Sequence, residues 1–426
     1  MSDSSQHTSD GSDAHVPDTS APAIDGSAAV GHSAPGRPGP GLPRFRTGLV
    51  ASVAAAHFLH DVSSALLAPL LPLLIDKLAL SLFLASTLPV FMQMPSIFNP
   101  FLGVFVDRKH WQRRLLVLAP GMTGVLLCLV GLAPDYAALV MILLVAGCSV
   151  AAIHVAGPVL VHRFSGPSVG RGMSFFMVGG ELARTIGPLV AVQAVSSFGL
   201  AGIWKLAPVA ALSSLVLART IPPVEVPTDR EPPLSLPALL RRMRGLFTAV
   251  IGILLARAFM VGALTTFLPT YIYGKGQGLW IANISLSILE LGGVVGALLS
   301  GTLSDHWGRR NVLFVAVVLS PILMLLFLAT DGPVRLGVLA VLGLVTLSTT
   351  PVLMALVVES SGSSTAAATG TFMMISFALR SLITLLVGAA GDLFGLDATY
   401  VGCAVLASLG LPFVFRLPKR SVWSAE

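Results

Sequence analysis

Twelve apolar segments, each close to the length that a helix needs to cross a lipid bilayer, dominate this sequence. About 20 apolar residues in a helix span the hydrocarbon core. Only 11% of the 426 residues are charged, whereas about 25% is usual in soluble domains. We therefore predict an all-α membrane protein. The predicted spans, numbered 1 to 12 in chain order, are residues 48–75, 81–106, 115–133, 137–161, 171–197, 202–219, 247–273, 279–303, 311–330, 334–358, 366–391 and 398–416.

The basic residues are distributed unequally between the two faces of this predicted bundle. Nineteen of the 26 Lys and Arg residues lie before span 1, after span 12, in the connections on that same face or at the span ends that border them. The other face has four, Lys77, Lys205, Lys275 and Arg335. Cytoplasmic loops carry the excess of Lys and Arg. The pattern predicts a multi-pass protein of a bacterial inner membrane with both termini in the cytoplasm.

The longest internal connection, residues 220–246, divides the spans into two sets of six. It is rich in proline and ends in a basic cluster. The segment before span 1 is rich in Ser, Asp, Gly and Pro, a composition that buries little apolar surface. The predicted divisions are a disordered cytoplasmic tail over 1–43, an N-terminal bundle over 44–219, a cytoplasmic linker over 220–246, a C-terminal bundle over 247–417 and a cytoplasmic tail over 418–426.

A charged motif follows span 2 and recurs after span 8. The two copies read Gly103-Val-Phe-Val-Asp107-Arg108 and Gly301-Thr-Leu-Ser-Asp305-His306-Trp307-Gly308-Arg309-Arg310. A small glycine lets two helices approach closely, and an Asp at a helix end beside Arg forms a breakable charge–dipole contact. One copy would also fit an ordinary solvated loop. Two copies at equivalent positions predict a conformational latch.

Both copies resemble the G-x-x-x-D-R/K-x-G-R-R/K loop of the major facilitator superfamily. This resemblance implies two pseudo-symmetric six-helix bundles with a substrate site between them near the midplane. It also implies that spans 1, 4, 7 and 10 line the cavity, with spans 2, 5, 8 and 11 beside them. The partners implied are a small-molecule substrate, protons and the lipid bilayer, and a monomer is expected.

Further motifs resemble those of the fosmidomycin-resistance branch of that superfamily, which implies drug efflux. The segments that carry this resemblance are His57-Phe-Leu-His60-Asp61, Ile153-His154, Met177-Val-Gly179-Gly180-Glu181, Ile186-Gly187-Pro188, Arg257 and Phe267-Leu268-Pro269.

Six Asp, Glu and Arg residues lie in the interior of the predicted spans, away from the span ends, where each charge costs at least about 2.5–3.5 kcal/mol on insertion scales. They are Asp61, Glu181, Arg184, Arg257, Glu290 and Arg380. Three acids and three bases indicate pairing. We expect Glu181 and Arg184 to share a helix face. Asp61 is then expected to meet Arg184, and Glu290 to meet Arg257 or Arg380. Static ion pairs between helices are the alternative interpretation.

The intramembrane charges and nearby histidines provide the candidate site. An acid beside bases can gain and lose a proton as a cavity opens to either side. Guanidinium groups bind phosphonate or carboxylate with two hydrogen bonds. A histidine in a helix can instead be a hydrogen-bonded packing residue. The predicted proton-coupling residues are Asp61, His60, Glu181 and Glu290, and the predicted substrate-binding residues are His57, His154, Arg184, Arg257 and Arg380.

Other function classes lack a signal in this sequence. There is no Walker-type glycine loop for ATP-driven transport. Cys128, Cys148 and Cys403 lack metal-ligand spacing. We expect no metal, no cofactor, no nucleic-acid partner and no enzymatic activity. The leading hypothesis is a proton-coupled exporter of a small organic molecule or drug, with anions among the candidate substrates, that works by alternating access. A proton-coupled importer of an organic anion or nutrient, and a non-transporting membrane sensor, remain as alternatives.

Overall fold

The described part of the molecule is helical and contains no strand. The computed structural model describes residues 45–99, 102, 105–106, 109–165, 169–223, 241, 243–360 and 365–417. Its principal helices are Thr47–Ser64 and Leu67–Leu78 in span 1, Leu82–Gln93 in span 2, Gln112–Leu129 in span 3, Tyr136–Ser165 in span 4, Val169–Phe198 in span 5, Ala207–Thr220 in span 6, Arg244–Gly274 in span 7, Leu279–Trp307 in span 8, Arg309–Ala329 in span 9, Gly332–Leu347 and Thr349–Ser360 in span 10, and Thr365–Ser408 with Leu411–Phe415 in spans 11 and 12.

These helices confirm the predicted fold class. Ten segments of the described chain are long and apolar enough to cross a membrane. One of them, Thr371–Phe415, is 45 residues long and turns at Gly395, whose φ of 76° and ψ of 160° are not helical. The turn separates spans 11 and 12. Span 2 is represented by the shorter apolar stretch Leu82–Phe98. The arrangement is consistent with twelve spans.

Proline explains the interruption in span 1. The helix Thr47–Ser64 ends at Ala65, and a second helix begins at Leu67. Proline has no backbone N–H and clashes with the carbonyl four residues earlier. For Pro69 that residue is Ala65, so the helix breaks where the clash would occur. The polar residues of span 1 therefore lie in the last turns of its first helix.

The apolar core is shared by both halves at one end of the bundle and divided at the other. We call the end where the described chain begins at Phe45 and finishes at Leu417 the basic end. There, one apolar cluster contains only residues between Val50 and Ile221, and a second only residues between Met243 and Leu417. At the opposite end a single cluster includes residues of both halves, such as Leu71 and Phe267. The described halves are thus packed together away from the basic end.

Span 11 also contacts span 2 through hydrogen bonds at the opposite end. The Asp392 carboxylate accepts hydrogen bonds from the backbone N–H groups of Leu82 (2.6 Å) and Phe83 (2.7 Å). These are the first two residues of a helix, whose N–H groups have no partner within the helix. One carboxylate on the C-terminal half therefore caps a helix of the N-terminal half.

Small residues permit close helix packing within the C-terminal half. A Cβ atom built on Gly343 in span 10 would overlap the carbonyl oxygen of Leu289 in span 8, and one on Gly292 would overlap that of Ala340. Side chains at these positions would separate the backbones of spans 8 and 10. Such contacts between small residues are common between membrane helices.

Several predicted segments lie outside the described residues. These include the tails over 1–43 and 418–426 and most of the linker over 220–246. The proposed division into two six-helix bundles stays a prediction, although the separate clusters at the basic end follow it.

Candidate functional site

Three histidines and one carboxylate from spans 1 and 4 form a compact buried cluster. His57 Nε2 lies 3.3 Å from Asp61 Oδ2, and His60 Nδ1 lies 2.7 Å from Asp61 Oδ1. The His57 and His154 rings meet edge to face, with centroids 5.3 Å apart. His57, His60 and Asp61 have exposed fractions of 4%, 0% and 5%, so water reaches little of the cluster.

Span 5 fixes the orientation of the His57 ring. The Phe176 ring stacks on it with centroids 4.0 Å apart, and His57 Nδ1 donates a hydrogen bond of 2.8 Å to the Phe176 carbonyl. Gly180 lies one turn further along span 5, and its lack of a side chain leaves room for His57 and Asp61. A Cβ atom at this position would lie 2.5 Å from His57 Cε1 and 3.2 Å from Asp61 Oδ2.

An ion-pair chain centred on Arg184 joins the two halves. Arg184 pairs with Glu181 one turn earlier in span 5, and its Nε lies 3.6 Å from Oε2 of Glu290 in span 8. The side chain of Arg184 is 41% exposed, whereas that of Glu290 is only 6% exposed. Spans 5 and 8 pack against each other across the boundary between the halves. The relative position of spans 5 and 8 therefore determines whether Arg184 contacts Glu290.

Two further arginines near these ion pairs have only neutral hydrogen-bond acceptors among the described residues. Arg257 donates to the Thr346 carbonyl at 3.4 Å, and Arg380 donates to Thr265 Oγ1 at 3.0 Å. No described carboxylate lies within ion-pair distance of either guanidinium. Their positive charges are partly buried without a described acid against them, and an anion would supply the missing negative charge.

The observed pairs differ from two of the expected ones. Asp61 contacts His57 and His60 rather than Arg184. Glu290 pairs with Arg184 of the other half rather than with Arg257 or Arg380. The reason is geometric, since Asp61 is held on its own helix by the preceding histidines. This leaves Arg184 available to span 8. The expected Glu181–Arg184 pair is present.

The two motif copies are described to different extents. In the first copy, Gly103, Asp107 and Arg108 lie outside the described residues, and in the second the same applies to the Asp305 side chain.

In the second copy, Gly308 connects spans 8 and 9 with φ 87°, a conformation that favours glycine. Arg309 donates to Ser304 Oγ, and the Arg310 guanidinium lies 5.2 Å from the centre of the Phe415 ring. No described atom lies within 4 Å of a Cβ built on Gly301, so the close helix approach expected there is absent from this conformation.

Sequence reasoning did not identify Phe176, Gly180 or Asp392 as functional positions. Gly180 is part of the motif Met177-Val-Gly179-Gly180-Glu181 but has no role assigned to it there, and Phe176 resembles ordinary filler of an apolar helix until the fold places it against His57. Asp392 lies near a predicted span end, where an acid is unremarkable on sequence grounds. No local pattern reveals its contact with span 2.

Most of the chain is similar in sequence to known proteins. The family model for the Major Facilitator Superfamily matches residues 53–384. The fosmidomycin resistance protein of Escherichia coli (strain K12) is 22% identical over 379 residues, which cover 86% of this chain and 92% of that relative.

Solved structures share the fold at low identity. The nucleoside transporter NupG superposes with a TM-score of 0.66 at 17% identity, covering 87% of this chain and 100% of that one. A bacterial homologue of the human lysosomal transporter Spinster, in an inward-facing and unoccupied conformation, gives a TM-score of 0.69 at 14% identity, covering 87% and 96% of the two chains.

Proposed function

The chain belongs to the Major Facilitator Superfamily, and from this premise we propose that it is a proton-coupled exporter of small organic anions that works by alternating access. Membership establishes a multi-pass membrane transporter. The direction, the coupling ion and the class of substrate are the parts that we propose. We also propose that the protein lies in the inner membrane with its basic end, and both termini, in the cytoplasm.

The observation that carries this proposal is the pair of arginines without described acid partners. Arg257 and Arg380 come from spans 7 and 11, which pack against each other in the C-terminal half. A guanidinium at bilayer depth is costly unless its charge is compensated. A substrate carboxylate or phosphonate would compensate it and form paired hydrogen bonds. This favours an anionic rather than a cationic substrate.

Proton coupling is proposed at the contact between Glu290 and Arg184. Protonation of Glu290 removes its negative charge and weakens the attraction that holds span 8 to span 5. Arg184 keeps Glu181 as a partner on its own helix. A proton therefore loosens the contact between the halves without leaving Arg184 uncompensated. His60 and Asp61 also stay predicted proton-coupling residues.

Two further observations support the proposal. Among the described residues, the buried apolar cluster that both halves share lies away from the basic end, as alternating access requires of a state open to one side. The relative named as a fosmidomycin resistance protein covers most of this chain. Its name favours export of a drug-like substrate.

The test is drug susceptibility of an efflux-deficient bacterial host that expresses the protein. The panel contrasts small anionic antibiotics, phosphonates included, with lipophilic cations. We expect protection against the anionic class, loss of protection in Arg257→Gln and Arg380→Gln, and retention in Arg335→Gln. Arg335 is a suitable control because it pairs with Asp331 at the opposite end of the bundle.

The outcomes separate the candidate functions. Protection that survives both arginine substitutions would contradict the proposed site, and transport unaffected by collapse of the pH gradient would contradict proton coupling. Accumulation of an anion in the cells would indicate an importer. Absence of any solute flux, with the protein shown to be in the membrane, would favour a sensor.

A further inference from the structure

The rings of His57 and His154, which both lie close to Asp61, each direct Nδ1 toward a backbone carbonyl oxygen. His57 Nδ1 lies 2.8 Å from the Phe176 carbonyl oxygen, and His154 Nδ1 lies 2.8 Å from that of Val150. A carbonyl oxygen only accepts hydrogen bonds, so Nδ1 carries the proton in both rings. In the neutral form of each ring, the lone pair is then on Nε2.

The Nε2 lone pair of His57 faces a carboxylate oxygen. His57 Nε2 is buried, has no hydrogen-bond partner in the described structure, and lies 3.3 Å from Asp61 Oδ2. Two atoms that both offer electron pairs repel each other unless a cation lies between them. The cation is either a proton on the ring or a bound metal ion.

Both fit the 3.3 Å separation, but His154 brings a third donor to the same place, which favours the metal ion. We propose that His57, Asp61 and His154 bind a divalent transition-metal ion of the zinc class. One ligand atom from each of these residues lies within 4.8 Å of the other two. Around a tetrahedral zinc ion with bonds of about 2.0–2.1 Å, neighbouring ligand atoms are about 3.4 Å apart. The His57–Asp61 distance of 3.3 Å already matches this spacing. Movement of span 4 toward span 1 would shorten the remaining gap and keep the hydrogen bond between His154 Nδ1 and the Val150 carbonyl.

The surroundings of the three side chains resemble those of metal ligands in general. Histidine ligands usually donate their other N–H to a backbone carbonyl or a carboxylate, which fixes the ring. His57 and His154 do so. His60 Nδ1 lies 2.7 Å from the second oxygen of Asp61 and leaves Oδ2 for the ion. Gly180 leaves space beside the pair, since a Cβ atom there would lie 2.9 Å from His57 Nε2.

The chemistry of the donors selects the class of ion. Two imidazoles and one carboxylate suit zinc and other late first-row metals, whereas magnesium and calcium prefer oxygen ligands. Three protein ligands leave one position of a tetrahedral ion free. An anionic oxygen of a substrate, or water, would occupy it. The site goes beyond the proposed function, which does not require a metal.

Sequence inspection predicted no metal site because the ligands lack a recognisable spacing. His57 and Asp61 are four residues apart on one helix, a common arrangement on helices. His154 comes from span 4, and only the fold brings it to the other two.

The test is metal binding to the purified full chain, which carries an affinity tag without histidines and is first stripped with a chelator. Zinc is titrated in competition with a chromophoric chelator, and cobalt is used as a spectroscopic probe. We expect one tightly bound ion whose cobalt spectrum indicates tetrahedral nitrogen and oxygen ligands. His154→Ala and Asp61→Asn should each lose at least about 100-fold in affinity. His60→Ala should lose about 10–100-fold, because it orients Asp61.

Matched variants separate this site from other histidines. His110→Asn removes an exposed imidazole and keeps a residue that tolerates the φ of 53° found there. A triple substitution of His7, His15 and His32 removes the imidazoles of the N-terminal segment. Both variants should bind the ion as the wild type does. Asp61→Asn keeps the shape of the side chain, so we expect this variant to fold and its loss of metal binding to report on the carboxylate.

Absence of stoichiometric zinc or cobalt binding would overturn the proposal and leave a proton as the cation. Binding that is unchanged in both His154→Ala and Asp61→Asn would overturn it as well. Neither result bears on Arg257, Arg380 or the Glu290–Arg184 contact, so the metal site and these parts of the exporter proposal fail independently. A bound ion would exclude Asp61 as a proton-coupling residue and leave that role to Glu290.

Discussion

The contact between Asp392 and the start of span 2 joins the two halves at the opposite end, and we expect Asp392→Ala to open that end. The carboxylate accepts hydrogen bonds of 2.6 and 2.7 Å from Leu82 and Phe83 of the other half. A hydrogen bond to a charged group contributes about 1.5–3 kcal/mol, and an anion at a helix N-terminus about 0.3–1 kcal/mol. Because Asp392 is exposed, solvent screens most of the stabilisation from these two contributions. We expect a net loss of about 1–2 kcal/mol, or about a 5–30-fold shift in population.

Distances between spin labels on the two halves measure this shift. Pro134→Cys and Gln277→Cys place labels at exposed positions near the opposite end of each half, after replacement of the native cysteines. Asp392→Ala should move the distance distribution toward the longer, open population. Asp397→Ala is the control, since Asp397 contacts Lys275 and Tyr271 within the C-terminal half. If both variants give the wild-type distribution, Asp392 does not hold the end closed.

Two glycine substitutions test the packing and the backbone. Gly343→Ala should lower the free energy of unfolding by about 1–3 kcal/mol through overpacking against the Leu289 carbonyl, whereas Gly402→Ala, which meets no atom within 4 Å, should be neutral or slightly stabilising. Thermal unfolding in detergent compares them, and equal Tm values would contradict the close approach of spans 8 and 10. Gly308→Ala should destabilise the turn between spans 8 and 9 by about 1–3 kcal/mol because of its φ of 87°, while Gly301→Ala in open space should not. A wild-type Tm for Gly308→Ala would show that the turn rearranges freely.

The spans were predictable because bilayer thickness imposes a length and a composition on every crossing helix. The buried group of three histidines and Asp61 was partly predictable, since His57, His60 and Asp61 lie within a turn of one another. The partner of Glu290 was not, because it depends on how far span 5 of one half lies from span 8 of the other. Periodicity places a residue on a helix face but carries no information about a helix on the other half. The same limit applies to Asp392, whose partners are backbone N–H groups.

The single apolar cluster shared by both halves at the opposite end gives the transport cycle a thermal signature. Opening that end brings water to residues such as Leu71 and Phe267, which are now almost completely buried. Exposure of apolar surface to water raises the heat capacity. The free energy between the two states therefore curves with temperature, and cooling weakens the closed end. If the protein works by the proposed alternating access, its preferred side of the membrane would change with temperature even when substrate and proton gradient are held constant.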